Sequence, residues 1–227
     1  MKTLCSPLCC FFVVVSAQLA HGQDTRFGQT YTWLTESKGQ RELEVKMTKV
    51  GRDSWLSENE FEFGVSDRLT IAPYLNFEMA KQTPTVGGWA LEMRYRFGDL
   101  RSKTILPAVY FEPQQMVGES AMTLEGRIIG SYYVSDNFDS LLAGNLIVSR
   151  LMKGREALSY GYALGAVKMR SKDWLGAEAY GSWTDKSHFV GPTVGMKLKD
   201  SSAIIFSLGL SLNRQDNEFK VVYARDF

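Results

Sequence analysis

Hydrophobic and polar residues alternate along most of this chain. From Arg68 to Met79 the residues Leu69, Ile71, Leu75, Phe77 and Met79 hold odd positions, while Arg68, Thr70, Asn76 and Glu78 hold even ones. Trp89, Leu91, Met93, Tyr95 and Phe97 then alternate with Ala90, Glu92, Arg94 and Arg96. A repeat of two marks a strand, because on a helix the charges would rotate onto the apolar face. Upstream, Leu43, Val45 and Met47 alternate with Glu42, Glu44 and Lys46, and Phe61, Phe63 and Val65 with Glu60, Glu62 and Gly64. Downstream the beat continues with smaller residues on the polar side. Leu142, Leu146 and Val148 oppose Ala143, Asn145 and Ser149, and Leu175, Ala177, Ala179 and Trp183 oppose Gly176, Glu178, Tyr180 and Ser182.

Twelve such segments are predicted, near 40–49, 57–66, 68–79, 88–98, 104–113, 120–134, 139–150, 155–169, 174–184, 188–199, 202–212 and 218–227. An even count of strands about 9–11 residues long fits a transmembrane, antiparallel, up-and-down β-barrel of the bacterial outer membrane. Ser66-Asp67, Ser135-Asp136-Asn137, Ser171-Lys172-Asp173 and Lys199-Asp200-Ser201 fall on alternate connections, as tight periplasmic turns would. The competing architecture is a soluble sandwich or lipocalin-like barrel with the apolar face inside. The small polar face of the later strands argues for a crowded interior. Trp89, Phe97, Phe138, Trp174 and Trp183 near strand ends suit an interfacial girdle.

The N-terminus has a different character. Lys2 precedes an apolar run through Phe11–Val15 to Ala20, and small residues at Ala20 and Gly22 predict signal-peptide cleavage before Gln23. The expected organisation is a signal peptide at 1–22, a periplasmic lead-in at 23–37 and one barrel domain at 38–227. All three cysteines, Cys5, Cys9 and Cys10, lie in the leader, and the mature chain keeps one histidine, His188. The net charge of +1 provides no field for nucleic acid. The C-terminal run Phe219, Val221, Tyr223, Phe227 is similar to the strand by which outer-membrane barrels are recognised for assembly, with Arg225 departing from that pattern. The partners expected are therefore membrane lipid, the barrel-assembly machinery and a small solute.

The stretch from Glu60 to Ile71, with Val65-Ser66-Asp67-Arg68 at its turn, resembles a strand–turn–strand unit of the MetA-pathway phenol-degradation family and neighbouring barrel families. Lys38–Glu44 and Glu92–Phe97 fit the same plan, and the likeness is best over residues 30–100. It implies an exported barrel with solute passage and carries over no catalytic residue.

The candidate chemistry is a charged lumen wall on the first six strands. Glu42, Glu44, Lys46, Glu60, Glu62, Arg68, Glu78, Glu92, Arg94, Arg96, Glu112, Glu125 and Arg127 are expected to face inward. They could guide a solute or form a paired network that fixes register. Arg94 and Arg96 are expected to oppose Glu78 and Glu112. Glu42/Glu44 and Glu60/Glu62 could suggest acid–base chemistry or Ca²⁺, but alternation alone produces that spacing. No metal or cofactor is expected. Catalysis by His188 with Ser182, Ser187 or Asp185 lacks a nucleophile motif, so an outer-membrane hydrolase ranks below both a solute channel and a closed structural barrel.

Overall fold

The computed structural model describes residues 26–227 apart from 51–53, 81–82, 100–103, 155–156, 200 and 214–215, so the expected leader lies outside the described residues. Twelve strands follow in order: β1 (Arg41–Val50), β2 (Ser54–Ser66), β3 (Leu69–Ala80), β4 (Thr83–Arg96), β5 (Leu106–Met116) and β6 (Thr123–Tyr133), then β7 (Ser140–Leu151), β8 (Ser159–Met169), β9 (Asp173–Ser182), β10 (Ser187–Lys197), β11 (Ser202–Ser211) and β12 (Glu218–Asp226). Each pairs antiparallel with its sequence neighbours and β12 returns to β1, which closes the barrel. The seam runs from Glu42 opposite Asp226 to Lys49 opposite Phe219. Closure leaves no row of unpaired backbone groups, the condition for strands to live in lipid.

The two faces have the polarity of a membrane barrel. Ile128 is 65% exposed and Leu175 61%, whereas Glu42 and Glu92 are 0% exposed. A soluble barrel would reverse these values, since so many exposed large apolar residues around the wall would drive aggregation in water. The girdle reading needs two corrections, at Phe138, which is half-buried and packs edge-on against the buried Tyr133, and at Trp174. Trp89, Phe97 and Trp183 are exposed, but Trp174 is buried and donates its indole N–H to the Arg26 carbonyl at 2.9 Å. It shares the inward parity of Glu178 on β9. A Cβ at Gly195 would collide with its indole, so β10 needs glycine there.

One end of the barrel carries both Arg41 and Phe227, whose N–H donates to the Arg41 carbonyl, together with the Ser/Asp turns. Asp139 closes one of these turns, accepting from Ser135 Oγ at 2.6 Å and pairing with Lys168 Nζ at 2.6 Å. Lys168 and the serine hydroxyls hold its carboxyl below the usual range. At the far end the loop expected at 80–87 is mostly strand: β-branched Thr83, Thr85 and Val86 extend β4, and Pro84 pairs opposite Met79. If the end with both termini faces the periplasm, Pro84→Cys will react with an impermeant maleimide on whole cells and Asp67→Cys will not. Labelling in the opposite sense would invert the barrel.

Candidate functional site

The lumen contains the chain's own leading residues. The periplasmic lead-in expected at 23–37 is not where residues 26–37 lie. They form a finger inside the barrel, with Phe27 and Trp33 buried to 2% and 1% exposure. The finger starts beside Trp174 at the terminal end of β9, where the Arg26 guanidinium sits 5.4 Å over the indole. It rises to Tyr31 at mid-depth and descends to the β2–β3 turn, where Lys38 N–H donates to Asp67 Oδ1 at 3.1 Å. Both limbs therefore reach the same mouth. Phe27 and Trp33 pack there with Leu106, Ile129, Leu141, Val167 and Ile205 in one apolar cluster.

The finger has no strand partner, so its backbone groups are satisfied by side chains of the wall. Glu178 on β9 is the main anchor. Its Oε1 accepts from Gly28 N–H at 2.8 Å and Ser207 Oγ at 2.9 Å; its Oε2 accepts from Gln29 N–H at 2.8 Å, Thr30 N–H at 2.9 Å and Thr30 Oγ1 at 3.1 Å. Asn145 on β7 grips the apex from both sides, accepting Tyr31 N–H at 2.8 Å and donating to the Tyr31 carbonyl at 2.8 Å. Ser131 Oγ receives Trp33 N–H at 2.9 Å, and Thr70 Oγ1 receives Glu36 N–H at 2.7 Å. The small residues of the later strands make room for this segment. A Cβ at Gly165 would run into the Phe27 ring.

The charged wall closes on the other side of Tyr31. Glu42, Glu44, Lys46, Glu60, Glu62, Glu92, Arg94 and Glu112 are buried, and Glu125 and Arg127 are half-buried. Lys46 Nζ bridges Glu44 at 2.7 Å and Glu60 at 2.6 Å, and Arg127 pairs with Glu125 at 2.6 Å. Three cations surround the Tyr31 ring: Arg127 at 4.4 Å, Lys46 at 5.2 Å and Arg94 at 5.4 Å. The Tyr31 hydroxyl accepts from Lys46 and donates to Glu92 Oε2, both at 3.1 Å. Such pairing is what buried charges require, and it fastens the finger's apex as well as the wall.

Several placements differ from expectation. Arg94 pairs with Glu62 at 2.9 Å and Glu92 at 3.4 Å rather than with Glu78 or Glu112, because it reaches Glu62 on β2 across β3, where Thr70 and Ala72 present only small side chains. Glu112 instead accepts hydrogen bonds from the Tyr74 and Tyr110 hydroxyls. Arg68 is exposed at the β2–β3 turn, paired with Asp99 at 3.3 Å. Arg96 lies at the mouth, 4.7 Å over Trp33, with its Nε donating to the Asp67 carbonyl. Glu78 is exposed near the far rim. Phe219, Val221 and Tyr223 lie half-buried on β12, and Phe227 is exposed at the seam. His188 stacks on Tyr162, with Nδ1 3.2 Å from the Tyr162 hydroxyl, while Ser182 Oγ donates to Asp185 at 2.7 Å. The hydroxyl is thus directed at the aspartate, not at an imidazole base.

The finger and its anchors Glu178, Asn145 and Ser131 were missed as a site. The available signal was the density of aromatics, Phe27, Tyr31 and Trp33, in a segment expected to be solvated.

The sequence matches no family model and no curated protein. In structure the chain is similar to the KdgM porin, with TM-score 0.64 and 12% identity over 82% of this chain and 99% of that one. KdgM is also known in complex with disordered oligogalacturonate. An outer-membrane channel of Pseudomonas putida F1 is similar at TM-score 0.63 and 12% identity, covering 86% of this chain and 98% of that one. The chain has the closed twelve-strand barrel fold of these outer-membrane proteins, with the apolar outer face and polar interior that a membrane barrel requires.

Proposed function

We propose that this barrel passes a small polar solute across the outer membrane and that residues 26–37 are its built-in plug. The observation that carries this reading is the way the finger is held: wall side chains bind its backbone, and no strand of the barrel depends on it. The far half of the lumen wall, beyond Tyr31, carries polar residues such as Asn76, Gln114, Ser149 and Lys220. The structural likeness to the KdgM porin and to an outer-membrane channel supports passage of a solute. Acids outnumber cations along the wall, which favours neutral or cationic solutes. An oligogalacturonate, a chain of carboxylates, suits it poorly. The C-terminal strand, with Phe219, Val221, Tyr223 and Phe227, is the proposed handle for the assembly machinery.

Conductance in planar bilayers tests the reading. Mature protein starting at Gln23 is expected to be closed most of the time. A variant starting at Lys38 should conduct steadily, with a reversal potential showing cation preference. A barrel silent in both forms would be a structural one.

A further inference from the structure

The root of the finger brings a third acid to a pair that strand alternation had already placed. Glu42 on β1 and Glu62 on β2 are cross-strand partners, and Glu36 descends onto them from the finger. One carboxylate oxygen from each of the three lies within 4.8 Å of the others, and all three side chains are buried. Alternation explains Glu42 beside Glu62. It does not explain Glu36, which the finger delivers while its own N–H is fixed by Thr70 Oγ1.

The surroundings leave negative charge over. The Arg94 guanidinium faces Glu62 and Glu92, and Lys46 is held between Glu44 and Glu60. Glu42 is 0% exposed, and neither of its carboxylate oxygens has a hydrogen-bond donor among the described residues. On its other side Glu42 faces Asp226 across the seam, within hydrogen-bonding reach, but that neighbour is a fourth carboxyl and brings no positive charge. A buried carboxylate with no donor, pointed into a group of acids, has the chemistry of a ligand that lacks its cation.

We propose that Glu36, Glu42 and Glu62 form a site for a hard divalent cation of the Ca²⁺ class, which ties the root of the plug to the seam of the barrel. Oxygen-only donors select such ions over softer metals, and bonds of about 2.4 Å let one Ca²⁺ span oxygens this far apart. Glu42 is the second residue of β1, next to the mouth, so the ion has a short path from water. The site joins three separate pieces of chain: the finger, the β1–β2 hairpin and, through Asp226 beside Glu42, the last strand.

The test uses mature protein refolded in detergent without lipopolysaccharide and stripped with EDTA. Calorimetric titration with CaCl₂ should show one ion per chain, and 1 mM Ca²⁺ should raise the unfolding midpoint by about 5 °C, as expected for a ligand well above its Kd. Glu42→Gln should abolish both effects. In EDTA the same variant should unfold no earlier than wild type, since it removes a repulsive charge. Glu112→Gln, which changes an acid outside the cluster, should keep the full response. The absence of Ca²⁺ binding in wild type, or an unchanged response in Glu42→Gln, overturns the site. Neither readout involves conductance, so failure here is distinguishable from failure of the channel reading.

Discussion

Glu178→Ala should turn a mostly closed barrel into a mostly open one. The substitution removes all five hydrogen bonds that the carboxylate accepts, three of them from consecutive backbone N–H groups of the finger. Bonds to a charged acceptor contribute about 1.5–3 kcal/mol each, and they do not add in full because lumen water solvates the freed groups. A conservative loss of about 3 kcal/mol moves the closed-to-open ratio more than a hundredfold. The measurement is open probability of single barrels at fixed voltage. Glu178→Gln keeps one acceptor oxygen and should fall between wild type and alanine. A lock supplies the converse. A Cβ on Gly28 would touch that of Ser207, so a cysteine pair there should cross-link once the finger shifts by about 1 Å to reach disulfide geometry. The oxidised pair should be silent and reduction should restore wild-type behaviour. Unchanged opening in both variants would mean that the finger is not the gate.

The second large effect is expected in stability. Arg94 is buried between Glu62 and Glu92 and faces the Tyr31 ring. Arg94→Ala leaves two enclosed carboxylates without their cation, which costs about 3–5 kcal/mol, less where water enters the lumen. The folded band on unboiled gels should be lost on the order of 10 °C earlier. Arg96→Ala should shift it far less, because that side chain sits at the mouth over Trp33 and pairs with no buried acid among the described residues. Equal shifts for the two would show that position along the lumen does not govern the cost.

The contrast between these two arginines shows what the sequence could and could not reveal. Both lie on the inward parity of β4, and the parity was legible from Trp89, Leu91, Met93, Tyr95 and Phe97 alone. Alternation is a local property, so strand number, face and closure could be read from it. Partner choice is not local. Arg94 reaches Glu62 across the whole of β3, which depends on lumen width and on the small Thr70 and Ala72 between them. The plug was hidden for a related reason. Residues 26–37 make no ladder and so have no period to detect, and their partners Asn145 and Glu178 stand more than a hundred residues away. The stretch of Gly, Ala and Ser on β7–β11 was visible as a smooth wall, but its meaning, a seat cut to the shape of Phe27, needed the occupant in place.

Because both limbs of the finger reach one opening, the segment enters the ring as a bent arm enters a sleeve and leaves by the way it came. No free end has to be drawn through the barrel, and no strand has to unzip. Insertion can therefore follow closure of the β1–β12 seam, and withdrawal is a local event against an intact cylinder. In hydrogen exchange the amides of residues 28–33 should report that event separately. They should exchange orders of magnitude faster than those of the surrounding ladders, whose release requires the whole wall to come apart.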